Sequence, residues 1–260
     1  MNKFFSVIVS AALAVALTGC TKKEETPKGD SSFEKVKSAG ELVLGHVDVF
    51  PPMAFVDNDS NVVGFDIDVA REVCSRLGIK LKLQRILWEN KEKELKTGHI
   101  DCIWSGMSVD SSRASSMNLS DPYLTNHLVF VVKDKAIEHF DSLKGRKVSV
   151  QRASTAHSML LKSEVGKTAE ILAYENQKLA FDALDSGFVE AAFMDEVFAK
   201  YWNMKNNKGY TILKDGLHDE FYAVGFRRQD VFLRDTVNAV LNSMKKDGAF
   251  IEISLKWFGK

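Results

Sequence analysis

Short apolar runs alternate along the chain with segments whose apolar residues recur every three or four positions. The run ELVLGHV (41–47) predicts a strand, and residues 66–77 predict a helix with one apolar face that ends at Gly78. The runs LKLQRILW (81–88) and HIDCIWS (99–105) predict two further strands, separated by a short helix. Alternating strands and helices favour largely parallel sheets covered by helices, so the pattern predicts an α/β fold.

The same pattern starts again in the second half of the chain. Helices are predicted to begin at Thr155, Gln177 and Asp195, and a long amphipathic helix is predicted over 230–246, before Gly248. The predicted strands are HLVFVV (127–132), RKVSV (146–150), EILAY (170–174), VEAAFM (189–194) and FYAVGF (221–226). Two similar α/β units in tandem therefore predict two lobes.

The first thirty residues have a different character. Lys3 precedes about 14 apolar residues (4–17), fewer than the ~20 of a membrane-spanning helix, which is the alternative interpretation. The tetrapeptide LTGC (17–20) looks like a lipobox, so we expect residues 1–19 to be a signal peptide and Cys20 to carry lipid, including palmitate. Polar residues 20–30 predict a flexible tether. Ser31 and Glu34 then have capping-box spacing ahead of a short helix.

Charge and motif content exclude several classes of function. The sequence has 35 basic and 35 acidic residues, so no excess of positive charge indicates a nucleic-acid partner. It has no glycine-rich phosphate loop, and its six histidines lack metal-ligand spacing, so we expect neither a cofactor nor a metal. Besides Cys20, the cysteines are Cys74 and Cys102, which are predicted to form either a disulfide or two buried thiols.

Four stretches together resemble the polar amino-acid-binding proteins of ABC importers, the extracellular solute-binding proteins of family 3. They are FPPMAF (50–55), GFDIDVAREV (64–73), DCIWSGMSVDSSR (101–113) and FMDE (193–196). The resemblance implies a two-lobe, type II periplasmic-binding-protein-like fold. Each lobe would hold a mixed, mostly parallel sheet flanked by helices, with two crossover hinge strands between the lobes. Lobe 1 would comprise 31–126 plus 226–260, and lobe 2 would comprise 127–225.

The resemblance also implies how the two ends of a free amino acid would be held. Arg113 matches the arginine that grips the α-carboxylate with its planar fork, and Asp195 matches the carboxylate that pairs with the ammonium group. Ser105, Gly106 and Ser108 match positions that complete this hydrogen bonding. Without the resemblance, Arg113 would be interpreted as an exposed helix arginine and Asp195 as a helix N-cap.

Four more positions carry over from the family. Ser154 and Thr155 match the second-lobe loop that donates hydrogen bonds to the ligand carboxylate, although Ala153 stands where many relatives have glycine. Phe50 and Trp88 match aromatic positions that flank the ligand side chain. The alternative for Trp88 is a place in the ordinary core.

The identity of the amino acid is predicted from fewer positions. Relatives that bind cationic or glutamine-like side chains often have aspartate three residues before Phe50, where this chain has Val47. Asp48 or Glu89 could substitute for it, whereas Arg152 could favour an acidic ligand. We therefore expect a neutral polar amino acid.

The function implied by the resemblance is capture and delivery. The chain would be an extracytoplasmic lipoprotein, anchored to the membrane at the cell surface or in the periplasm, that hands a free amino acid to an ABC permease. It would not be an enzyme. The alternative is an enzyme on the same scaffold, similar to cyclohexadienyl dehydratases, for which Glu89 or His157 could be the acid.

Overall fold

The structure is a computed structural model that describes residues 29–206, 209–216 and 218–259. The predicted signal peptide (1–19), the lipidation site Cys20 and tether residues 21–28 lie outside the described residues. Along the chain, the strands are β1 (Glu41–His46), β2 (Val49–Phe50), β3 (Ala54–Val56), β4 (Val62–Val63), β5 (Lys80–Arg85), β6 (Cys102–Ile103), β7 (Asn118–Leu119), β8 (Leu124–Val132), β9 (Lys147–Gln151), β10 (Glu170–Tyr174), β11 (Ala191–Asp195), β12 (Thr211–Ile212), β13 (His218–Tyr222) and β14 (Gly225–Phe226). The helices are α1 (Ser32–Ala39), α2 (Phe65–Leu77), α3 (Lys91–Thr97), α4 (Ser111–Ser116), α5 (Thr155–Lys162), α6 (Gln177–Asp185), α7 (Glu196–Asn206), α8 (Val231–Asp247) and α9 (Ala249–Phe258).

The first sheet has the strand order β5-β1-β6-β14-β7. β1 pairs in parallel with β5 and β6, whereas β14 runs antiparallel to β6 and β7. Helices α1, α2, α3 and α8 pack around this sheet. Leu42 and Leu44 of β1 are fully buried together with Ile67 and Val73 of α2, so the two apolar patterns of the sequence meet in one core. A small antiparallel sheet of β2, β3 and β4 lies in the same half of the chain.

The second sheet has the order β10-β9-β11-β8-β12, with β13 also paired to β8. β9 pairs in parallel with β10 and β11, and β8 runs antiparallel to β11, β12 and β13. Phe130 and Phe193 stack in its core with ring centroids 4.4 Å apart. Both sheets are therefore mixed, with parallel strands joined by helical connections.

Two short segments connect the sheets. Residues 120–123 lead from β7 into β8, and residues 223–224 lead from β13 into β14. The segments are hydrogen-bonded to each other from Ser120 N to Val224 O at 2.9 Å, and Tyr123 N of the first segment donates to Tyr222 O at the end of β13 at 2.9 Å. The predicted lobe boundary at 126/127 falls inside β8, and the assignment of lobes remains a prediction.

Four local predictions were wrong. The single strand predicted over FYAVGF (221–226) is divided between β13, which ends at Tyr222, and β14, which begins at Gly225 in the other sheet. The strand predicted to reach Trp88 ends at Arg85, and Trp88–Asn90 is a 3-10 turn. The strand predicted over 99–105 is confined to Cys102–Ile103. No capping box forms at Ser31, whose side chain makes no capping hydrogen bond; the carboxylate of Asp30 accepts from Ser32 N at 2.8 Å.

The long C-terminal helix ends at Gly248, as predicted. Gly248 adopts φ +91, a left-handed conformation that favours glycine, and α9 follows directly. Among the described helices, none is both long and apolar enough to span a bilayer.

Candidate functional site

The nine residues predicted to bind the ligand all border one cavity between the two sheets. The open space that these residues border is about 320 Å³ with the solvent at its mouth included, and about 20 Å³ of it admits the centre of a water molecule. Its lining residues are Val47, Phe50, Trp88, Ser105, Gly106, Ser108, Arg113, Leu128, Gln151, Ser154, Thr155, Ala156, Gln177 and Asp195. The structure thus brings the predicted residues together, and their role in binding remains a prediction.

Arg113 enters the cavity from helix α4. The helix begins at Asp110, whose carboxylate accepts a hydrogen bond from Arg113 N at 2.8 Å, as expected of an N-cap. The guanidinium is buried, and its NH1 group donates to the carbonyl oxygen of Ser108 at 2.7 Å. Burial lowers the pKa of Arg113, but a guanidinium stays charged in proteins. The interpretation of Arg113 as an exposed helix residue is therefore wrong.

Asp195 faces the cavity from the end of β11. Its buried carboxylate accepts hydrogen bonds from Asn126 Nδ2 at 2.8 Å, from the side-chain amide of Gln177 and from the hydroxyl of Tyr222. Burial raises the pKa of Asp195, and hydrogen bonds with Tyr222, Glu220 and Gln177 and the charge of Arg113 oppose that effect. A carboxylate has about four acceptor positions, so room remains for a further donor.

A tight turn positions Ser105 and Gly106 at the opposite wall. Gly106 has φ +57, and a Cβ atom there would lie 2.5 Å from Phe50 Cε1, so only glycine fits. Its N–H donates to the buried carboxylate of Asp66 at 2.6 Å, and Tyr123 donates its hydroxyl to the same carboxylate at 2.8 Å. Burial raises the pKa of Asp66 to about 7. Asp66 thus supports the turn from behind.

The loop before helix α5 forms part of the second-sheet wall. Ser154 caps α5, because its hydroxyl oxygen accepts from His157 N at 3.0 Å. Thr155 donates its hydroxyl to Asp110 Oδ2 across the cleft at 3.1 Å. Ala153 has φ +55, so the alanine adopts the left-handed conformation for which many relatives have glycine.

Aromatic rings form two further walls of the cavity. Phe50 lies 6.0 Å from Phe198 of α7, centroid to centroid. Trp88 is buried under two cations, with Arg113 Cζ 5.5 Å and Lys91 Nζ 4.8 Å from its ring centre. Trp88 therefore belongs to both the core and the cavity lining. Trp104 is fully buried and is not among the lining residues, as expected.

Asp48 and Glu89, the two acids predicted as possible substitutes for a cation-selecting aspartate at Val47, are already paired. Asp48 lies 2.8 Å from Arg85 Nε, and Glu89 lies 3.5 Å from Arg152 NH1. Val47 lines the cavity at the position where cation-binding relatives often have aspartate. The lining at this side is therefore apolar or uncharged.

Several polar residues of the site escaped the sequence-based prediction. Asn126, Gln177 and Tyr222 hold Asp195, and Asp66 holds the Gly106 turn. Others near the cavity are Gln151, Lys91 and Glu220. The available signal was polarity inside apolar runs, as at Asp66 in a buried helix face.

Two kinds of site have no support in the described chain. Within residues 29–206, 209–216 and 218–259, no group of three or more histidine, cysteine or acidic side chains could hold a metal ion. Cys74 and Cys102 are buried free thiols, and burial raises the pKa of both.

Comparison with known proteins places this fold and cavity in a family. The family model of the bacterial extracellular solute-binding proteins, family 3, matches residues 42–260. The chain belongs to this family. The fold of this family 3 protein is the type II periplasmic-binding-protein fold predicted from the resemblance, which is confirmed.

One relative and two solved structures illustrate the similarity of this chain to known amino-acid-binding proteins. The L-cystine-binding protein TcyJ of Escherichia coli (strain K12) is 26% identical to this family 3 protein over 251 residues, covering 95% of this chain and 93% of the relative. The structure of Tv2483 bound to L-arginine is 33% identical with a TM-score of 0.85, covering 89% of this chain and 96% of that one. A substrate-binding protein of an ABC uptake transporter from Streptococcus pneumoniae, with bound histidine, is 31% identical with a TM-score of 0.84, covering 90% and 98%.

Proposed function

We propose that this protein captures a free amino acid in the cavity between its sheets and delivers it to the permease of an ABC importer. The observation that carries the proposal is the meeting of Arg113 and Asp195 in one cavity, with Phe50 and Trp88 in its walls. A guanidinium, a carboxylate and an apolar pocket are the three partners that a zwitterion with a side chain requires. The relatives bind cystine, arginine and histidine, which supports the same class of ligand.

Capture works by closure of the two lobes in this proposal. Arg113 and Asp110 come from the half that holds the first sheet, and Thr155 and Asp195 come from the other half. A ligand that contacts both halves binds the closed form better than the open form, so it shifts the population toward closure. Exclusion of water then strengthens both charged contacts.

A neutral polar amino acid fits the lining best. The uncharged residues Gln151, Gln177 and Val47 line the cavity. The salt bridges of Asp48 and Glu89 reduce the attraction of these acids for a cationic side chain. We infer that the ligand side chain is uncharged and is recognised by amide hydrogen bonds and aromatic contact.

The experiment that tests the function is a thermal-shift screen of the purified protein. The twenty amino acids, cystine and ornithine are added in turn, because a ligand that binds only the folded state raises the melting temperature. We expect a shift with one or a few neutral polar amino acids. If arginine, lysine or glutamate gave the largest shift, only the preference for a neutral ligand would be contradicted. If none of the screened compounds shifted the melting temperature, the proposed function itself would be contradicted.

The absence of enzymatic activity is part of the same proposal. Glu89 is ion-paired to Arg152, and burial together with Arg152 lowers the pKa of His157, so neither residue is set up as a positioned acid at neutral pH. Incubation with prephenate and detection of phenylpyruvate tests this directly. We expect no turnover, and formation of phenylpyruvate would assign the dehydratase function instead.

Membrane anchoring through Cys20 is a separate proposal. It is supported by the LTGC tetrapeptide that follows the apolar run. We expect the full-length protein to fractionate with membranes and the Cys20→Ala variant to lose labelling by a palmitate analogue. Labelling of that variant to the wild-type level would contradict the assignment of Cys20.

A further inference from the structure

Two buried acids meet beside the cavity, and one amide joins them. Asn126 Nδ2 donates to Asp195 Oδ1 at 2.8 Å and to Glu220 Oε2 at 2.7 Å. Asp195 ends β11 and Glu220 lies in β13, and each residue is less than a tenth exposed. The same NH₂ group therefore holds two acidic side chains against each other, away from water.

Two carboxylates in such contact do not both ionise readily at neutral pH. A like charge and burial both disfavour the charged form of an acid. Burial and the charge of Asp195 raise the pKa of Glu220 to about 9, and burial raises the pKa of Asp195. The pair therefore holds one shared proton at neutral pH.

The surroundings of Glu220 leave one of its two carboxyl oxygen atoms without a hydrogen bond from any described residue. Its Oε1 atom is buried without a hydrogen-bond partner among the described residues. The charged, titratable and hydroxyl groups that act on it are Asp195 of β11, Arg113 of α4, Tyr222 of its own strand and Ser108 of the cavity wall.

Other titratable groups of these strands have partners of their own. His127 of β8 lies 3.1 Å from Glu196 through Nδ1 and 3.3 Å from Asp219 through Nε2. His218 of β13 contacts the ring of Phe193, 6.1 Å between centroids. Arg113 is therefore the one cation of the described site known to act on both acids of the pair.

We propose that Asp195 and Glu220 together form the subsite for the ammonium group of the ligand, and that entry of the ammonium expels their shared proton to solvent. The proposal rests on the proposed function, since it requires a free amino acid in the cavity. The ammonium group replaces the proton, so the net charge of the buried site does not change. The Asn126 amide and the Tyr222 hydroxyl keep their hydrogen bonds to Asp195. Amino-acid capture is then coupled to release of about one proton.

This coupling has a measurable sign. Below the pKa of the empty pair the ligand must displace a proton, so binding tightens as the pH rises. The affinity increases up to about tenfold for each pH unit in which a full proton is released. A subsite made by Asp195 alone, ionised throughout, would give an affinity that does not change between pH 6 and pH 8.

Isothermal titration calorimetry between pH 6 and pH 8, in buffers of different ionisation enthalpy, counts the released protons. The probes are the free amino acids of the thermal-shift screen whose side chains do not titrate between pH 6 and pH 8, beginning with L-glutamine. We expect about one proton released at pH 7 by the wild-type protein, and close to none by Glu220→Gln, whose affinity no longer depends on pH. Asp219→Asn, an exposed substitution in the same strand, is the matched control and keeps the wild-type proton count.

The outcomes separate this proposal from the function on which it rests. Binding by the wild-type protein without proton release, or equal release by Glu220→Gln, overturns the two-carboxyl subsite and leaves amino-acid capture intact. Absence of binding by the wild-type protein overturns both. Melting curves establish whether Glu220→Gln is folded. If it does not fold, absence of proton release by the wild-type protein still overturns the proposal.

Discussion

Lys91 reaches across the cleft to the backbone of Ala153. Its ammonium nitrogen lies 3.3 Å from the carbonyl oxygen of Ala153 and 3.3 Å from that of Trp88. Lys91 begins α3 beside the first sheet, whereas Ala153 precedes α5 beside the second. Opening of the cleft must therefore break this bond, together with the Thr155–Asp110 bond.

The burial of Lys91 predicts a pH dependence of stability. Burial, then the charge of Arg113, lowers the pKa of Lys91 to about 8, whereas a lysine in the unfolded chain titrates near about 10.4. The folded state binds this proton less tightly than the unfolded chain does. Burial of the charged Lys91 therefore lowers the free energy of unfolding by its full amount below about pH 8, and this loss disappears as the pH rises to about 10.4. Relative to Lys91→Met, the wild-type free energy of unfolding should gain up to ~3 kcal/mol over that interval.

Urea unfolding of both proteins at several pH values between 7 and 10.5 measures this difference. Lys93→Met, an exposed substitution in the same helix, is the control and should follow the wild-type curve. A constant difference between Lys91→Met and the wild type at every pH would show that Lys91 keeps its ordinary pKa.

Substitution of Arg113 should weaken amino-acid binding. Arg113→Ala removes the cation and leaves the ligand carboxylate buried without its partner, a loss of about 3–5 kcal/mol. Arg113→Lys keeps the charge but loses the planar fork, so we expect a smaller loss. Calorimetry measures both, with the half-exposed Arg71→Ala as control. Unchanged affinity in Arg113→Ala would remove Arg113 from the site.

Replacement of Ala153 by glycine should stabilise the protein. A residue other than glycine loses about 1–2 kcal/mol of stability in the left-handed region. Glycine removes this strain, but its more flexible unfolded state offsets up to about 1 kcal/mol of the gain. With φ +55 at Ala153, we expect Ala153→Gly to raise the free energy of unfolding by up to about 1 kcal/mol. Ala156→Gly, inside helix α5, is the matched control and should lower it. Destabilisation by Ala153→Gly would show that the loop carries no strain.

Asp66 predicts the opposite dependence on pH from Lys91. Burial raises its pKa to about 7, and an unfolded aspartate titrates near about 3.9. The folded state binds the proton of Asp66 more tightly than the unfolded chain does. The contribution of this proton to the free energy of unfolding is therefore complete below about pH 3.9 and is lost as the pH rises to about 7. The advantage of the wild type over Asp66→Asn should therefore shrink by up to ~4 kcal/mol between pH 4 and pH 7.

Chemical denaturation at pH 4, 5.5 and 7 measures this change. Asp59→Asn, in an exposed turn, serves as control and should differ from the wild type by the same amount at each pH. If the difference for Asp66→Asn also stays constant, the Asp66 carboxyl group is not perturbed.

The bounds of helices with a regularly repeating apolar face were predictable from the sequence. The bounds of strands, which depend on pairing with a neighbouring strand, were not. Helices α2 and α8 lie within a residue of their predicted bounds, because their apolar faces repeat over three or more turns. The end of β5 was misplaced by three residues, since an apolar run does not reveal where its partner strand stops. Trp88 thereby moved from a strand into a 3-10 turn over the cavity.

The sequence by itself determined the alternation of strands and helices, because this depends on local spacing. Its motifs also determined the family and, through the family resemblance, nine positions around the cavity. Tertiary structure alone decided that Asn126 joins Asp195 to Glu220 and that Asp66 supports Gly106. These partners are separated by 40 to 94 residues along the chain. Their proximity and their perturbed pKa values arise only when folding excludes water from the space between them.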